Sequence, residues 1–500
     1  MIQSSLFISI VLILFFSIRA DAQSTQPLVN HQILSSNITS SGQQHFYFNP
    51  STTPGLTKRS LLTLTDSDHA PWTKRDPTLT FYLTLTSCSQ PSPPPNYQGE
   101  IPSIDLYLST VNSNTLPGPT HHQNNNTVDD TLPGRISWHG NNVPELWIGV
   151  AAPTLTAAWT GQWTYELAIS TQQWMHPLDQ RNDTMRLEDT DTTNALLVTD
   201  QTMPNATVLI TQGLPKELKY SYCAAKSYQV AGQSINTTTE MQRGQQVFMV
   251  ANLTQEQTYQ AYMIQHQTAQ ITSLTAPLAL QTKSDPHCRL IHGLDFCSDV
   301  AYSVPSDPTQ DIWNITRAYD KQAQDLFAPF ATALSQFNCN NTQYSLVRNC
   351  DDCYRDYKRW LCAVTIPRCT SSSSPSTLVT TRTVAAQSAR NPWIDATYSL
   401  QNGWTELLPC VDVCYQVVQS CPPFLQFNCP EGDLAAQQYG YWKTIVNDSL
   451  VLDVNNPTCN RVGMNVSLLV ISAGSTLRSS SWLVFLASLA ATLVSIDAFN

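Results

Sequence analysis

Apolar and polar positions alternate along much of the first half of the chain. Leu79, Phe81, Leu83 and Leu85 are interleaved with Thr80, Tyr82, Thr84 and Thr86, the period-two pattern of a half-buried strand. Trp163, Tyr165, Leu167 and Ile169 repeat it around Thr164, Glu166 and Ala168. Shorter apolar runs at 46–48, 104–108 and 146–150 predict further strands. Turn-forming stretches separate them: Ser92-Pro93-Pro94-Pro95, Pro117-Gly118-Pro119 and a polar tip from His121 to Asn126. Short strands punctuated in this way predict an antiparallel sandwich or jelly roll over 42–180. The polar, Asp- and Thr-rich stretch 181–194 reads as a linker. A second β set at 207–210, 218–223, 246–250, 259–264 and 278–282 predicts a smaller, fibronectin-like sandwich over 195–285.

The period changes after Cys288. Tyr319, Ala323, Leu326, Phe327, Phe330, Leu334 and Phe337 form a 3.6-residue stripe, a helix with a kink expected at Pro329. Cys353, Tyr354, Tyr357, Trp360 and Leu361 share similar spacing, as do Cys410, Cys414, Val417, Val418 and Cys421. The Ser/Thr-rich stretch 370–390 reads as a mobile loop within this region. The fold class expected is therefore multidomain: N-terminal all-β sandwich regions, then a disulfide-rich, mainly helical domain over 288–460.

Cysteine placement supports that division. Of fourteen cysteines, only Cys88 and Cys223 lie in the first half, and whether they pair is open at this level. The others are Cys288, Cys297, Cys339, Cys350, Cys353, Cys362, Cys369, Cys410, Cys414, Cys421, Cys429 and Cys459. A dense set at mixed spacing reads as disulfides. Cys350-x-x-Cys353 and Cys410-x-x-x-Cys414 lack the matched clips of a zinc site, and no βαβ setting accompanies the CxxC for redox chemistry. Asp189-x-Asp191-x-Thr193 opens like a calcium loop, but Asn194 and Asp200 stand where that loop needs glycine and glutamate. It reads as part of the solvated linker.

The ends agree with an oxidising compartment. Leu6 to Ile18 is a short apolar run followed by Ala20-Asp21-Ala22, a cleavable secretory signal over 1–22. Trp482 to Ile496 is apolar but about five residues short of the roughly 20 a membrane helix needs. Small residues Ser472-Ala473-Gly474 and a polar spacer precede it, so 472–500 reads as a GPI-attachment signal with Ser472 or Gly474 as the acceptor; a tilted single-span helix is the other reading. Asn-x-Ser/Thr sequons stand at Asn37, Asn125, Asn182, Asn205, Asn236, Asn252, Asn314, Asn340, Asn447 and Asn465, acceptors that must be exposed in a secreted chain. Net charge is -11, with 13% charged residues and no basic stripe, which argues against nucleic-acid binding. No nucleophile elbow, P-loop, dinucleotide fingerprint or zincin helix is present. The expectation is a non-enzyme with no catalytic residue, metal or cofactor.

One block carries a resemblance. Cys350-Asp-Asp-Cys353-Tyr-Arg-Asp-Tyr-Lys-Arg-Trp360-Leu-Cys362-Ala-Val-Thr-Ile-Pro367-Arg-Cys369, then Pro409-Cys410, Cys414, Val417 and Cys421-Pro422, then Phe427-x-Cys429-Pro430, resembles the frizzled-type cysteine-rich domain. With Phe296-Cys297-Ser298-Asp299-Val300-Ala301-Tyr302-Ser303-Val304-Pro305 ahead of it, the set resembles the fungal stretch-activated calcium channel component family, the extracellular regulatory subunit of the high-affinity calcium influx system. The auxiliary subunit of the animal sodium-leak channel is similar in this region. The motifs cover 288–459. The resemblance implies an accessory subunit on the extracellular face of the plasma membrane, reached through the secretory pathway. It also implies docking on a large four-repeat, voltage-gated-like calcium channel pore subunit, with support of stress- or stretch-activated influx. Tyr354, Arg355, Tyr357, Lys358 and Arg359 are the partner-contact candidates, an aromatic and basic mixture suited to a hot spot; Trp360 and Leu361 read as core. Asp351 and Asp352 either meet a basic patch or favour the helix start. The alternative function is a GPI-anchored ligand- or glycan-binding receptor ectodomain. A cell-wall-acting enzyme ranks last, because no carboxylate pair can be named.

Overall fold

The structure, a computed structural model, describes residues 25–50, 80–120, 130–337 and 347–462, apart from 142, 144, 181–183, 200–201, 241–244, 371–380, 386–390, 399, 401, 442–443, 447–448, 452–457 and 461. The signal segment 1–22, the attachment segment 472–500 with Ser472 and Gly474, Cys339, and the sequon residues Asn125, Asn182, Asn340, Asn447 and Asn465 lie outside the described residues. The chain divides into two compact units. One comprises Met1–Thr184, Gln201–Gly232 and Tyr259–Ala279, the other Met185–Asp200, Gln233–Thr258 and Leu280–Asn500. The stretch 195–285 thus contributes strands to both.

In the first unit the alternation at 79–86 becomes β4 (Thr80–Ser89), and that at 163–169 becomes β9 (Trp163–Ser170). They are neighbours in a sheet ordered β2 (Gln32–Ile38), β9, β4, β7 (Arg135–Asn141), β6 (Asp130–Leu132). A second sheet runs β1 (Gln26–Pro27), β3 (Gln43–Phe48), β8 (Leu146–Ala151), β5 (Asp105–Ser109). Phe46, Phe48, Ile148 and Val150 from the second sheet pack with Phe81, Leu83, Leu85, Trp163, Tyr165 and Leu167 from the first in one buried cluster. Each such side chain contributes about 1.5–3 kcal/mol by leaving water.

The alternation understates β4, because Thr84 and Thr86 are buried too. Thr84 Oγ1 meets His176 Nδ1 at 2.7 Å, and Thr86 lies beside Cys223 of α1 (Tyr222–Ser227), which packs on β4 and is bonded to it through Cys88–Cys223. The segment 218–223, expected as a strand, is instead a 3-10 turn at Lys216–Leu218 leading into α1. Ser221 caps that helix, its Oγ accepting the Ala224 N–H at 3.3 Å. A further sheet of the unit runs β10 (Leu178–Asp179), β17 (Thr272–Thr275), β16 (Thr258–His266), β13 (Ala206–Thr211), with β18 (Leu278–Gln281) also on β16.

The second unit opens with a sheet ordered β11 (Arg186–Thr190), β12 (Ala195–Thr199), β15 (Gln245–Ala251), β14 (Ser234–Glu240). The stretch expected as a solvated linker is therefore partly strand. After it come the pair β19 (Cys288–Ile291) and β20 (Tyr302–Pro305), α2 (Ile312–Leu334), α3 (Cys350–Thr365), the sheet β21 (Arg368–Cys369), β23 (Trp404–Leu407), β22 (Thr381–Val384), and helices α4 (Pro392–Tyr398), α5 (Val411–Ser420) and α6 (Gly432–Gln438). Helix α2 runs unbroken through Pro329.

This overturns the expectation of a mainly helical, frizzled-like domain. Strand outweighs helix among the described residues, and the cysteine-bearing part itself interleaves short strands with helices. Strands of two to four residues such as β19, β21, β22 and β23 are too brief to show a period. Longer helical stripes dominate a reading of this region based on periodicity. Part of the Ser/Thr-rich loop, Thr381–Val384, is strand β22.

Candidate functional site

The surface with the clearest capacity for contact is built by α2, α3 and α5. Helix α3 starts at a capping box: Asn349 Oδ1 accepts the Asp352 N–H at 3.0 Å, and Asp352 Oδ2 accepts the Asn349 N–H at 3.1 Å. Burial alone would raise the Asp352 carboxyl, but the Asn349 N–H and the Arg355 guanidinium, 2.8 Å away, hold it below the usual range. Disulfides then fix the helices. Cys353–Cys421 joins α3 to the end of α5, Cys297–Cys362 ties the segment before α2 to α3, and Cys414–Cys429 closes a short loop after α5. Cys288–Cys369 joins β19 to β21, and Cys410–Cys459 anchors the start of α5. Cys350 is also disulfide-bonded.

Aromatic rings fill the space between α2 and α3. Phe327 meets Phe296, Phe330 and Tyr354 edge-on, with centroids 5.2, 5.4 and 4.8 Å apart. Phe330 stacks on Tyr357 at 3.6 Å, and Tyr357 also meets Trp360 and Phe427, each at 5.3 Å. Trp360 Nε1 donates to Tyr439 Oη at 2.9 Å. Asp356, buried on α3, accepts from Ser420 of α5 and from Arg355 Nε at 3.1 Å. Sequence reasoning passed over this carboxylate. Its only signal was an acid three residues beyond Cys353, on the cysteine-bearing side of the helix.

The contact candidates divide accordingly. Tyr354 and Arg355 are exposed, although Arg355 is engaged by Asp352 and Asp356. Tyr357 is half-buried in the ring cluster, and burial raises its hydroxyl pKa. Lys358 Nζ sits 4.4 Å from the Phe296 ring centre, its pKa lowered by burial. Arg359 Nε donates to Asp299 at 3.3 Å. Leu361 is buried and Trp360 partly so. What faces outward is more apolar than the sequence implied. Leu326, assigned to the buried stripe, is 47% exposed, and Tyr415 and Val418 lie one helical turn apart on the outer side of α5. Phe424, 53% exposed, packs on Phe337 with ring centres 4.0 Å apart. Such a surface offers shape and apolar area rather than reacting groups.

The second unit also holds a buried ion cluster. Asp189 takes Lys283 Nζ at 2.6 Å, Arg368 Nε at 3.2 Å and the Ser303 N–H at 2.9 Å. Burial pushes the Asp189 carboxyl up, and the nearby Arg368 and Lys283 charges more than reverse that. Asp191 accepts from the N–H groups of Thr193, Asn194 and Leu290 at 2.8, 2.7 and 3.1 Å. The acids that opened like a calcium loop are thus occupied by internal donors. Among the described residues, two groupings bring possible metal-ligand atoms within 4.8 Å, Cys88 with Glu166 and Cys223, and Asp285 with Cys288 and Cys369. In both, the sulfurs are closed into a disulfide.

Asn37, Asn205, Asn236, Asn252 and Asn314, the sequon residues within the described part, are all exposed. No helix among the described residues is long and apolar enough to cross a membrane.

Comparison with known proteins places this geometry. The chain is 32% identical over 372 residues to the stretch-activated cation channel MID1 of Saccharomyces cerevisiae, covering 62% of this chain and 64% of that protein. It is 32% identical over 352 residues to the stretch-activated cation channel yam8 of Schizosaccharomyces pombe, covering 65% and 68%. A Cryptococcus neoformans stretch-activated cation channel MID1 is 28% identical over 31% of this chain and 30% of its own length. The match to the first relative therefore spans less than two thirds of it. Among solved structures, a glycoside hydrolase domain of Endo-D from Streptococcus pneumoniae aligns over 50% of this chain and 33% of its own, at 9% identity and a TM-score of 0.15, too low to carry an argument. The profile of the Mid1 family, the stretch-activated Ca2+-permeable channel component, matches residues 80–465, and the chain belongs to that family.

Proposed function

We propose that the chain is an extracellular accessory subunit of a plasma-membrane calcium channel. It supports stress- or stretch-activated influx by docking the face formed by α2, α3 and α5 on a large four-repeat, voltage-gated-like pore subunit. Family membership supports the channel role. The observation that favours docking is the covalently fixed helix face with outward Tyr415, Val418 and Phe424, because a pre-ordered surface loses little entropy on association. Formed disulfides and exposed sequons support the extracellular side. A lipid anchor at Ser472 or Gly474, or a short carboxyl-terminal helix, tethers it. The test is recovery of the native protein from detergent-solubilised membranes and identification of its companions, with calcium uptake measured in a deletion strain. A co-purifying multi-span protein and reduced uptake under stress are expected. Normal uptake with no such companion refutes the proposal.

A further inference from the structure

A cleft of about 720 Å³ opens in the first unit, within the range of ligand sites. It lies at the open side of the sandwich, between β5, the terminal strand of one sheet, and the β6–β7 turn at the end of the other. Leu85, Ile104, Leu106 and Ile136 line its floor; Leu106 and Ile136 pack on the core yet stay partly exposed. The remaining wall is the turn carrying Lys216 and Glu217. That wall is fixed. Tyr220 N–H donates to the Pro133 carbonyl at 2.9 Å, and the Cys88–Cys223 disulfide holds the helix that follows. Gly134, at φ 83°, is so close that a Cβ there would lie 2.8 Å from Leu218 Cα.

Strand β5 pairs with β8 from Asp105 opposite Ala151 to Ser109 opposite Trp147, and no described strand pairs with its other side. An edge of this kind is a template for another strand. Asp105, on the cleft wall, has Tyr107 Oη at 3.5 Å and no ion pair among the described residues. Lys216, across the cleft, is tied to Glu100 at 3.1 Å. The uncompensated carboxylate favours a cation in whatever binds.

We propose that this edge receives an extended peptide segment of a partner protein by strand addition. The incoming backbone continues the sheet at β5, an aliphatic side chain enters against Leu106 and Ile136, and a basic side chain meets Asp105. Main-chain bonds then supply affinity and alternate side chains supply selectivity. The site shares no residue with the disulfide-linked face and does not depend on the channel role.

The test uses the secreted full chain and a fluorescein-labelled heptapeptide, Thr-Val-Lys-Val-Thr-Val-Lys, followed by anisotropy. Saturable binding is expected. Methylating alternate backbone nitrogens of the peptide weakens it at least about tenfold. Asp105→Lys weakens the lysine peptide by a similar factor and improves binding of its glutamate counterpart; Asp105→Asn gives the same comparison if the lysine variant does not fold. Several results overturn the proposal: no binding, binding indifferent to backbone methylation, displacement by dodecanoate, or a dimer in solution that occludes the edge.

Discussion

Replacing the partners of Asp189 one at a time tests whether the buried ion cluster holds the second unit together. Lys283 Nζ and Arg368 Nε stand 2.6 and 3.2 Å from the two carboxylate oxygens. At an effective dielectric of about 20 these contacts carry roughly 6 and 5 kcal/mol of gross attraction, much of it offset by dehydration. The net effect of a substitution depends on what remains. In Lys283→Met, Asp189 keeps Arg368 and the N–H groups of Thr190 and Ser303. The expected loss is about 1.5–3 kcal/mol, that of a hydrogen bond to a charged group. In Asp189→Leu, Lys283 stays buried without its acid, and about 3–5 kcal/mol is lost. The pair Asp189→Leu with Lys283→Met removes that orphan, so its cost falls short of the sum of the singles by at least about 1.5 kcal/mol. Equilibrium urea unfolding of the secreted protein measures all three. The acid limb adds a sign. The folded Asp189 pKa lies below its unfolded value, so its stabilisation is present above about pH 4 and is lost as pH falls through the folded value. Asp189→Leu should flatten that limb. Single losses under about 1 kcal/mol, or a strictly additive pair, would refute the reasoning.

Other expectations follow from the same packing. Replacing both Cys353 and Cys421 with serine unties α3 from α5 and should cost about 2–5 kcal/mol, read as a lower unfolding midpoint and reduced secretion. Tyr415→Glu and Val418→Glu together touch exposed positions, so stability should move by about 0.5 kcal/mol or less per site while recovery of a multi-span companion falls; unchanged recovery removes this face from the docking surface. His45 is buried with Nδ1 unpaired, and burial lowers its pKa against the opposing Pro117 carbonyl. Its contribution is therefore present above about pH 6.5 and lost as pH falls from there through the lower folded value, so His45→Gln should reduce the pH dependence of unfolding below about pH 6.5.

The β half was legible wherever one face of a strand meets solvent. The alternation at 163–169 matches the buried face of β9, where Trp163, Tyr165 and Leu167 line the core. It misled where a second layer covers the strand, as at Thr84 beside His176 and Thr86 beside Cys223 of α1. The segment 218–223 misled because a short apolar run does not separate strand from helix; the capping serine at 221 was the informative residue. The linker reading of 181–194 failed because charge was taken as exposure. Asp189 and Asp191 are buried through partners as remote as Lys283, Ser303, Leu290 and Arg368, and no local window contains those contacts.

The same long-range pairing revises where a partner can bind. A basic and aromatic cluster on one helix reads as a hot spot only if its charges are unspent. On α3, Arg355 is held by Asp352 and Asp356, Lys358 lies over Phe296, and Arg359 is held by Asp299. Drawing these cations to a new partner first breaks contacts that already order the helix, which subtracts from whatever they would contribute. Tyr357 is committed to Phe330 in the same way. Tyr415 and Val418 are exposed on the outer side of α5, beside covalently fixed elements, while Phe424 keeps more than half its surface exposed despite its contact with Phe337. If docking occurs here, α3 acts mainly as scaffold, and the energetic centre shifts to the outer side of α5 and the turn after it. Alanine substitution at Tyr415 should then weaken association more than substitution at Lys358 does, the reverse of what the sequence alone would rank.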